Sequence, residues 1–220
     1  SNRTPVKLGD TAVVVGSGPE VAGLARVVRR EGARSKVSVV GELPEDDTAQ
    51  LTAEGIRVLK GLSQRQLGSV LRDASRVVVV GDEDAETVRL VSRVTSAAPK
   101  AEPIVVLESP ELTREWLHGG AGGSRPVCRA TQVALEALRR CPPYPGEHVI
   151  PPPLVIGDGS LAAELVRRIL VAGWRDGRRP VVHCMSGGSP WVEELRGDVP
   201  DYSLELIDGA CLSPTRAADA

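Results

Sequence analysis

Apolar β-branched runs alternate with amphipathic stretches across short loops, and one run, Val77-Val-Val-Val80, is uninterrupted. A strand–glycine–helix opening occurs twice, at Ala12-Val-Val-Val-Gly16-Ser-Gly18 and at Leu154-Val-Ile-Gly157-Asp-Gly159. Together these features predict an α/β fold: a Rossmann-like doubly wound parallel sheet, with a second, smaller Rossmann-like unit after it. The valine run is of the sort found in parallel sheets covered by helices on both faces. Each glycine opening would leave backbone N–H groups and the positive end of a helix macrodipole at a strand end, where a nucleotide phosphate can sit.

The first strand is expected at residues 12–15. Pro19 then suits the first helical position, where its missing N–H costs nothing. Val21, Leu24, Ala25, Val27 and Val28 form the helix's apolar stripe, and Gly32 ends it. Lys36 to Val40 reads as a strand, Pro44 to Glu54 as a helix, and Ile56 to Leu59 as a strand after Gly55. A helix from Ser63 to Arg72 leads to the strand at 77–80, and a helix from Asp84 to Ala97 leads to a strand at Pro103 to Leu107. A short helix around Leu112 to Leu117, a glycine-rich loop at Gly119 to Gly123, a strand at Pro126 to Arg129 and a helix at Thr131 to Arg140 follow.

Prolines 142, 143, 145 and 151–153 then read as a stiff, extended linker. Beyond it the pattern restarts with a strand at 154–156, a helix from Leu161 to Ala172 closed by Gly173, and a strand from Pro180 to Cys184. A helix from Pro190 to Arg196 and a strand from Ser203 to Ile207 complete it. The expected organisation is a Rossmann domain at 8–141, a linker at 142–153 and a partial second unit at 154–210, about half a Rossmann fold, whose sheet edge needs cover.

Composition narrows the function classes. Hydrophobic residues make up 41% of the 220 and charged residues 25%, so an ordinary globular core is affordable. With no Phe, three Trp and two Tyr, that core must be aliphatic. The formal charge is −2, and no basic stripe interleaved with aromatics is present, so nucleic acid is not an expected partner. Cys128, Cys141, Cys184 and Cys211 show neither zinc spacing nor the density of a disulfide scaffold. They are read as reduced thiols in a cytoplasmic setting. No apolar run approaches the roughly 18 residues that cross a bilayer, and no signal-peptide pattern precedes the first strand. Ser1-Asn2 reads as a cloning scar, so the chain is expected to be an excised piece of a larger protein whose other domains could be membranous.

Other strings tempt a catalytic reading. Val181-Val-His183-Cys184-Met-Ser-Gly187-Gly-Ser-Pro190 resembles the His-Cys-x-x-Gly-x-x-Arg loop of cysteine phosphatases, but Pro190 stands where the oxyanion-binding arginine belongs. It is read as a strand ending in His and Cys. His118 and His148 have no carboxylate or serine at fixed spacing and are read as solvated or capping residues. Glu45-Asp46-Asp47 and Asp82-Glu-Asp84 fall at expected helix starts, where the dipole favours acids over any metal role. Trp116, Trp174 and Trp191 are too scattered to form a base-stacking platform.

Three stretches carry a family resemblance: Val13 to Arg30, Ala53-Glu-Gly-Ile-Arg-Val-Leu-Lys-Gly61, and Asp73-Ala-Ser-Arg-Val-Val-Val-Val-Gly-Asp-Glu-Asp84. In order and content, residues 11–140 resemble the N-terminal lobe of the RCK or TrkA-N (KTN) family, cytosolic regulators of potassium channels and transporters. The resemblance implies a regulatory, ligand-sensing module that binds NAD(H) or an adenine nucleotide, forms a homodimer through this lobe, and gates transport through an effector or channel domain outside this chain. It also implies that the chain is not an enzyme.

Ligand-contacting positions are expected at Gly16, Ser17, Gly18 and Glu42, and in the second opening at Gly157, Asp158 and Gly159. The second opening keeps Gly-x-Gly-x-x-Ala spacing through Ala162. The first departs from the dinucleotide fingerprint: Val21 replaces the third glycine, and Gly41 stands where an acid would hold a ribose, with Glu42 as its neighbour. Gly61-Leu62 replaces the family's Gly-Asp after the third strand. Two further function classes remain open, a ligand-free dimerisation scaffold and an NAD(P)-dependent oxidoreductase, the latter with His183 and Tyr202 as candidate polar groups.

Overall fold

The computed structural model describes residues 11–31, 36–119, 123–142, 153–173, 181–185, 191, 195 and 203–206. The expected linker falls almost wholly outside these residues, as do His148, Trp174, Tyr202, Cys211, Gly32 and the segment Ser186 to Pro190. The chain divides into two compact units, Ser1–Cys128 and Arg129–Ala220.

The first unit opens with β1 (Thr11–Gly16), α1 (Glu20–Glu31), β2 (Lys36–Val40), α2 (Glu45–Ala53) and β3 (Arg57–Leu59). It continues with α3 (Gln64–Arg72), β4 (Arg76–Val80), α4 (Asp84–Ala97), β5 (Ile104–Leu107), α5 (Pro110–His118) and β6 (Arg125–Cys128). Its six strands are all parallel in the order β3-β2-β1-β4-β5-β6. That is the Rossmann order, with the direction of winding reversing between β1 and β4.

Alternation along each strand explains why the sheet takes helices on both faces. Val14, Val37, Val39, Val78 and Val80 point to one side and pack with Val21, Ala25 and Val28 of α1 and Leu51 of α2. Val13, Val15, Val77, Val79 and Val105 point to the other and pack with Leu67 and Leu71 of α3 and Val91 and Val94 of α4. The buried core of both faces is aliphatic, mostly valine and leucine, with Trp116 packed at the margin of the second.

Local chemistry fixes several ends. Ser63 caps α3 in a full capping box: its Oγ accepts from Gln66 N–H, and the Gln66 side chain accepts from Ser63 N–H at 2.9 Å. Ser109 caps α5 by accepting from Leu112 N–H at 3.0 Å, with Pro110 at the first helical position. These signals start α5 two residues before the expected Leu112. Val27 differs from its expected place in the apolar stripe: it is 48% exposed, because α1 buries Val21, Ala22, Ala25 and Val28 instead.

The second unit contains α6 (Arg129–Arg140), β7 (Leu154–Ile156), α7 (Ser160–Gly173), β8 (Val181–Met185) and β9 (Ser203–Leu206). Its strands are parallel in the order β7-β8-β9. Helix α6, which the sequence reading counted with the first unit, here packs on α7. Val155, Val166, Ile169, Leu170, Val182, Cys184, Trp191 and Leu195 form the core, with Leu138 of α6 against it. Glu164 of α7 is 2% exposed. Its carboxylate accepts from Thr131 Oγ1 at 3.1 Å, Arg168 Nε at 2.7 Å and an Arg167 guanidinium nitrogen at 3.1 Å. Burial opposes its ionisation, but the hydrogen bonds from Arg168, Thr131 and Arg167 outweigh burial and hold the carboxyl below its usual range.

Candidate functional site

In an open parallel sheet the ligand crevice lies beyond the carboxyl ends of the strands where winding reverses. In the first unit that point is between the end of β1, Gly16 to Pro19, and the end of β4, Gly81 to Glu83. Gly16 is there because the strands touch: a Cβ on it would lie 2.3 Å from Val80 O and 2.8 Å from Val21 Cγ2. Val21, in the place of the fingerprint's third glycine, is fully buried against that contact, so strand and helix meet without a glycine there. Gly18 has φ +89°, a conformation that L side chains rarely adopt. Between the two glycines, Ser17 donates its N–H to Val80 O at 3.4 Å, while its Oγ is buried with no hydrogen-bond partner among the described residues.

Three of the expected first-site residues, Gly16, Ser17 and Gly18, thus share one turn at the start of α1. Glu42 follows β2 and is exposed. The vacancy at Gly41 has a steric cause. With φ +156°, a Cβ at this position would lie 1.7 Å from Gly16 O, so position 41 admits no side chain, acidic or otherwise.

The β4 side of the crevice is rigidly built. Gly81 N–H donates to Thr87 Oγ1 at 2.8 Å, Thr87 Oγ1 donates to Glu83 O at 3.2 Å, and Asp82 N–H donates to Glu86 Oε2 at 3.1 Å. Asp84, at the start of α4, accepts from Glu108 N–H at 2.8 Å and Ser109 N–H at 2.9 Å, tying the β4 and β5 loops together. Its carboxylate therefore serves as a brace at a helix start, where the sequence placed it. Asp82 projects the other way: its Oδ1 lies 2.6 Å from where a Cβ of residue 18 would stand. Sequence reasoning missed this contact, since Asp82 is far from Gly18 along the chain. The pairing of β1 with β4 is the signal that brings them together.

The second turn is built differently. Gly157 donates to Met185 O at 3.0 Å, and Gly157 and Gly159 have φ +150° and +91°. Among the described residues, a Cβ on Gly157 would meet only Ala162 Cβ, at 3.7 Å, and one on Gly159 would meet nothing within 4 Å. Asp158 is exposed beside them. Gly157, Asp158 and Gly159 therefore share one turn at the start of α7. Cys184, on β8, is fully buried in the core of the second unit. His118 ends α5 and is exposed. Among the described residues no group of three or more His, Cys, Asp or Glu is arranged to hold a metal ion, and no helix is long and apolar enough to cross a membrane.

A six-stranded parallel sheet in this order, with a glycine turn at the end of β1, defines a Rossmann-like fold. No protein-family model and no curated protein matches the chain. Among solved structures it is similar to the NAD(P)-binding domain of an exopolyphosphatase-related protein from Archaeoglobus fulgidus, at 22% identity and TM-score 0.47, over 59% of this chain and 95% of that one. It is also similar to the C-terminal domain of Kef from Shewanella denitrificans in its AMP-bound form, at 16% identity and TM-score 0.43, over 60% and 82%. A third similar structure is saccharopine dehydrogenase from Saccharomyces cerevisiae, at 21% identity and TM-score 0.35, over 49% and 24%.

The last of these corrects one expectation. The sequence reading held that the chain is not an enzyme, yet dehydrogenases and an oxidoreductase are among the structures that resemble it. The fold is common to enzymes and binding modules, so it does not support that exclusion.

Proposed function

We propose that this chain is a nucleotide-binding regulatory module of the RCK or TrkA-N kind, taking NAD(H) or an adenine nucleotide at the ends of its strands. The observation that carries the reading is the place of Gly16, Ser17 and Gly18: they form the turn into α1 at the β1/β4 reversal, where Rossmann domains receive their ligands. The Ser17 hydroxyl supports it: it has no partner among the described residues, and a buried polar atom of that kind is satisfied when a ligand supplies one. Glu42, exposed directly after β2, is the ribose acceptor in this reading. The turn at Gly157, Asp158 and Gly159 is the second candidate position.

Regulation, rather than binding alone, rests on the resemblance of Val13 to Arg30, 53–61 and 73–84 to that family. The same resemblance supports a homodimer, a cytoplasmic location, and an effector or channel domain that the bound ligand biases, with potassium or other cation transport as the regulated process. Calorimetric titration of the folded protein with NADH, NAD, AMP, ADP and ATP, with thermal shift alongside, tests the reading. Saturable binding that Gly18→Asp abolishes is the expected result. Silence across the panel in folded protein would overturn it and leave a ligand-free scaffold, a role to which the contacts of Asp82 at Gly18 and of Gly41 at Gly16 are suited.

A further inference from the structure

We propose that Asp82 determines the ligand charge that the first crevice accepts, so that adenosine or its monophosphate binds ahead of the di- and triphosphates. The inference rests on the nucleotide-binding reading above and concerns the same turn. The Asp82 carboxylate lies against Gly18, 2.6 Å from the Cβ position, at the N-terminal end of a twelve-residue helix. A phosphate bound by that helix end would take the same place, and a carboxylate there already satisfies the dipole.

Asp82 is not free to swing its backbone away. Its N–H is held by Glu86 Oε2, and Gly81 before it is held by Thr87 Oγ1 in a space where a Cβ would meet Thr87 N at 2.6 Å. Residues 16–20, 41–44 and 80–86 contain no lysine or arginine, but they do contain Glu20, Glu42, Asp82, Glu83, Asp84 and Glu86. Lys60, from the end of β3, donates to Leu43 O at 3.3 Å. A ligand that brings hydroxyls to Asp82 gains an acceptor, whereas each added phosphate brings a negative charge towards one already fixed.

The test is calorimetric titration of the full chain and of Asp82→Asn with adenosine, AMP, ADP and ATP at low salt. The expected wild-type order is adenosine or AMP first and ATP weakest. Asp82→Asn should tighten ATP by about tenfold, within what one unit charge exerts across a few ångströms near a protein surface. It should leave adenosine within about twofold, and Asp82→Glu should keep the wild-type order. Added salt should narrow the wild-type ranking by screening, without any substitution. Wild-type protein that binds ATP as tightly as adenosine, or Asp82→Asn that leaves the order unchanged, would overturn the assignment of Asp82 while the nucleotide-binding reading stands. Wild-type and variant both silent towards all four ligands would overturn the two together.

Discussion

Gly41→Ala should destabilise the first unit far more than an alanine placed at another glycine of positive φ. The added Cβ would stand 1.7 Å from Gly16 O, whereas ordinary contact begins at 3.4 Å, so the ends of β1 and β2 must part by more than an ångström. Those strands pair up to Val15 and Val40, immediately before the clash. Forcing an extra carbon into packed structure costs about 1–3 kcal/mol. Holding a non-glycine residue in a sparsely populated backbone region costs about 1–3 kcal/mol more. The expected total is therefore about 2–6 kcal/mol. Gly61→Ala is the control: φ there is +62° and a Cβ would meet nothing within 4 Å, so only the backbone term of about 1–2 kcal/mol applies. Urea unfolding followed by circular dichroism measures both, provided the slope is shared. If Gly41→Ala is no less stable than Gly61→Ala, the steric account of position 41 is wrong. A corollary is that Gly41→Asp, which would restore the acid of a dinucleotide fingerprint, should unfold the crevice rather than improve it.

Other substitutions probe other links. Glu164→Gln should cost about 1–2 kcal/mol at pH 7, a modest figure because its arginine partners remain part-exposed. Because the folded-state pKa of Glu164 is lowered, its contribution is present above the unfolded value of about 4.3 and is lost as pH falls through the folded one. Melting temperatures of wild type and Glu164→Gln should therefore converge between about pH 4 and the acid limit of folding. Asp84→Ala removes the acceptor of two backbone N–H groups and should cost about 1–3 kcal/mol, with faster hydrogen exchange at Glu108 and Ser109. Ser63→Ala should cost about 1 kcal/mol by unfolding measurements, the usual effect of losing a helix cap.

Much of the fold could be read in the sequence because local chemistry and global packing agree. Lys36 to Val40 and Asp84 to Ala97 were legible to the residue, since a β-branched run and an amphipathic stretch with acids in its first turn each have one structural reading. The start of α5 was legible too, in Ser109-Pro110, but the apolar residues beyond it drew the boundary inward. Val27 was misplaced because an apolar residue at helical spacing reads as core, while its actual surroundings depend on how the helix is rotated on the sheet. The crevice was half legible. Gly16, Ser17 and Gly18 announce themselves along the chain, whereas the contact of Gly41 with Gly16 and that of Asp82 with Gly18 exist only once β1 lies between β2 and β4. Gly41 looked like a lost acid, and the structure gives it a steric cause.

The placement of β1 also orders events during synthesis. β2 can align beside it as soon as residue 40 has emerged, and β3 soon after, but its other neighbour, β4, does not exist until residue 80. A nascent chain must therefore pass through a three-stranded stage in which β1, rich in valine, has one side unpaired. The second unit shows that stage as an end point: among the described residues β7 pairs with β8 alone, and Ile156 is 65% exposed. A ribosome-bound chain halted before residue 76 would present the corresponding raw edge at its most adhesive sequence, and chaperone capture should peak within that window and fall once β4 is released.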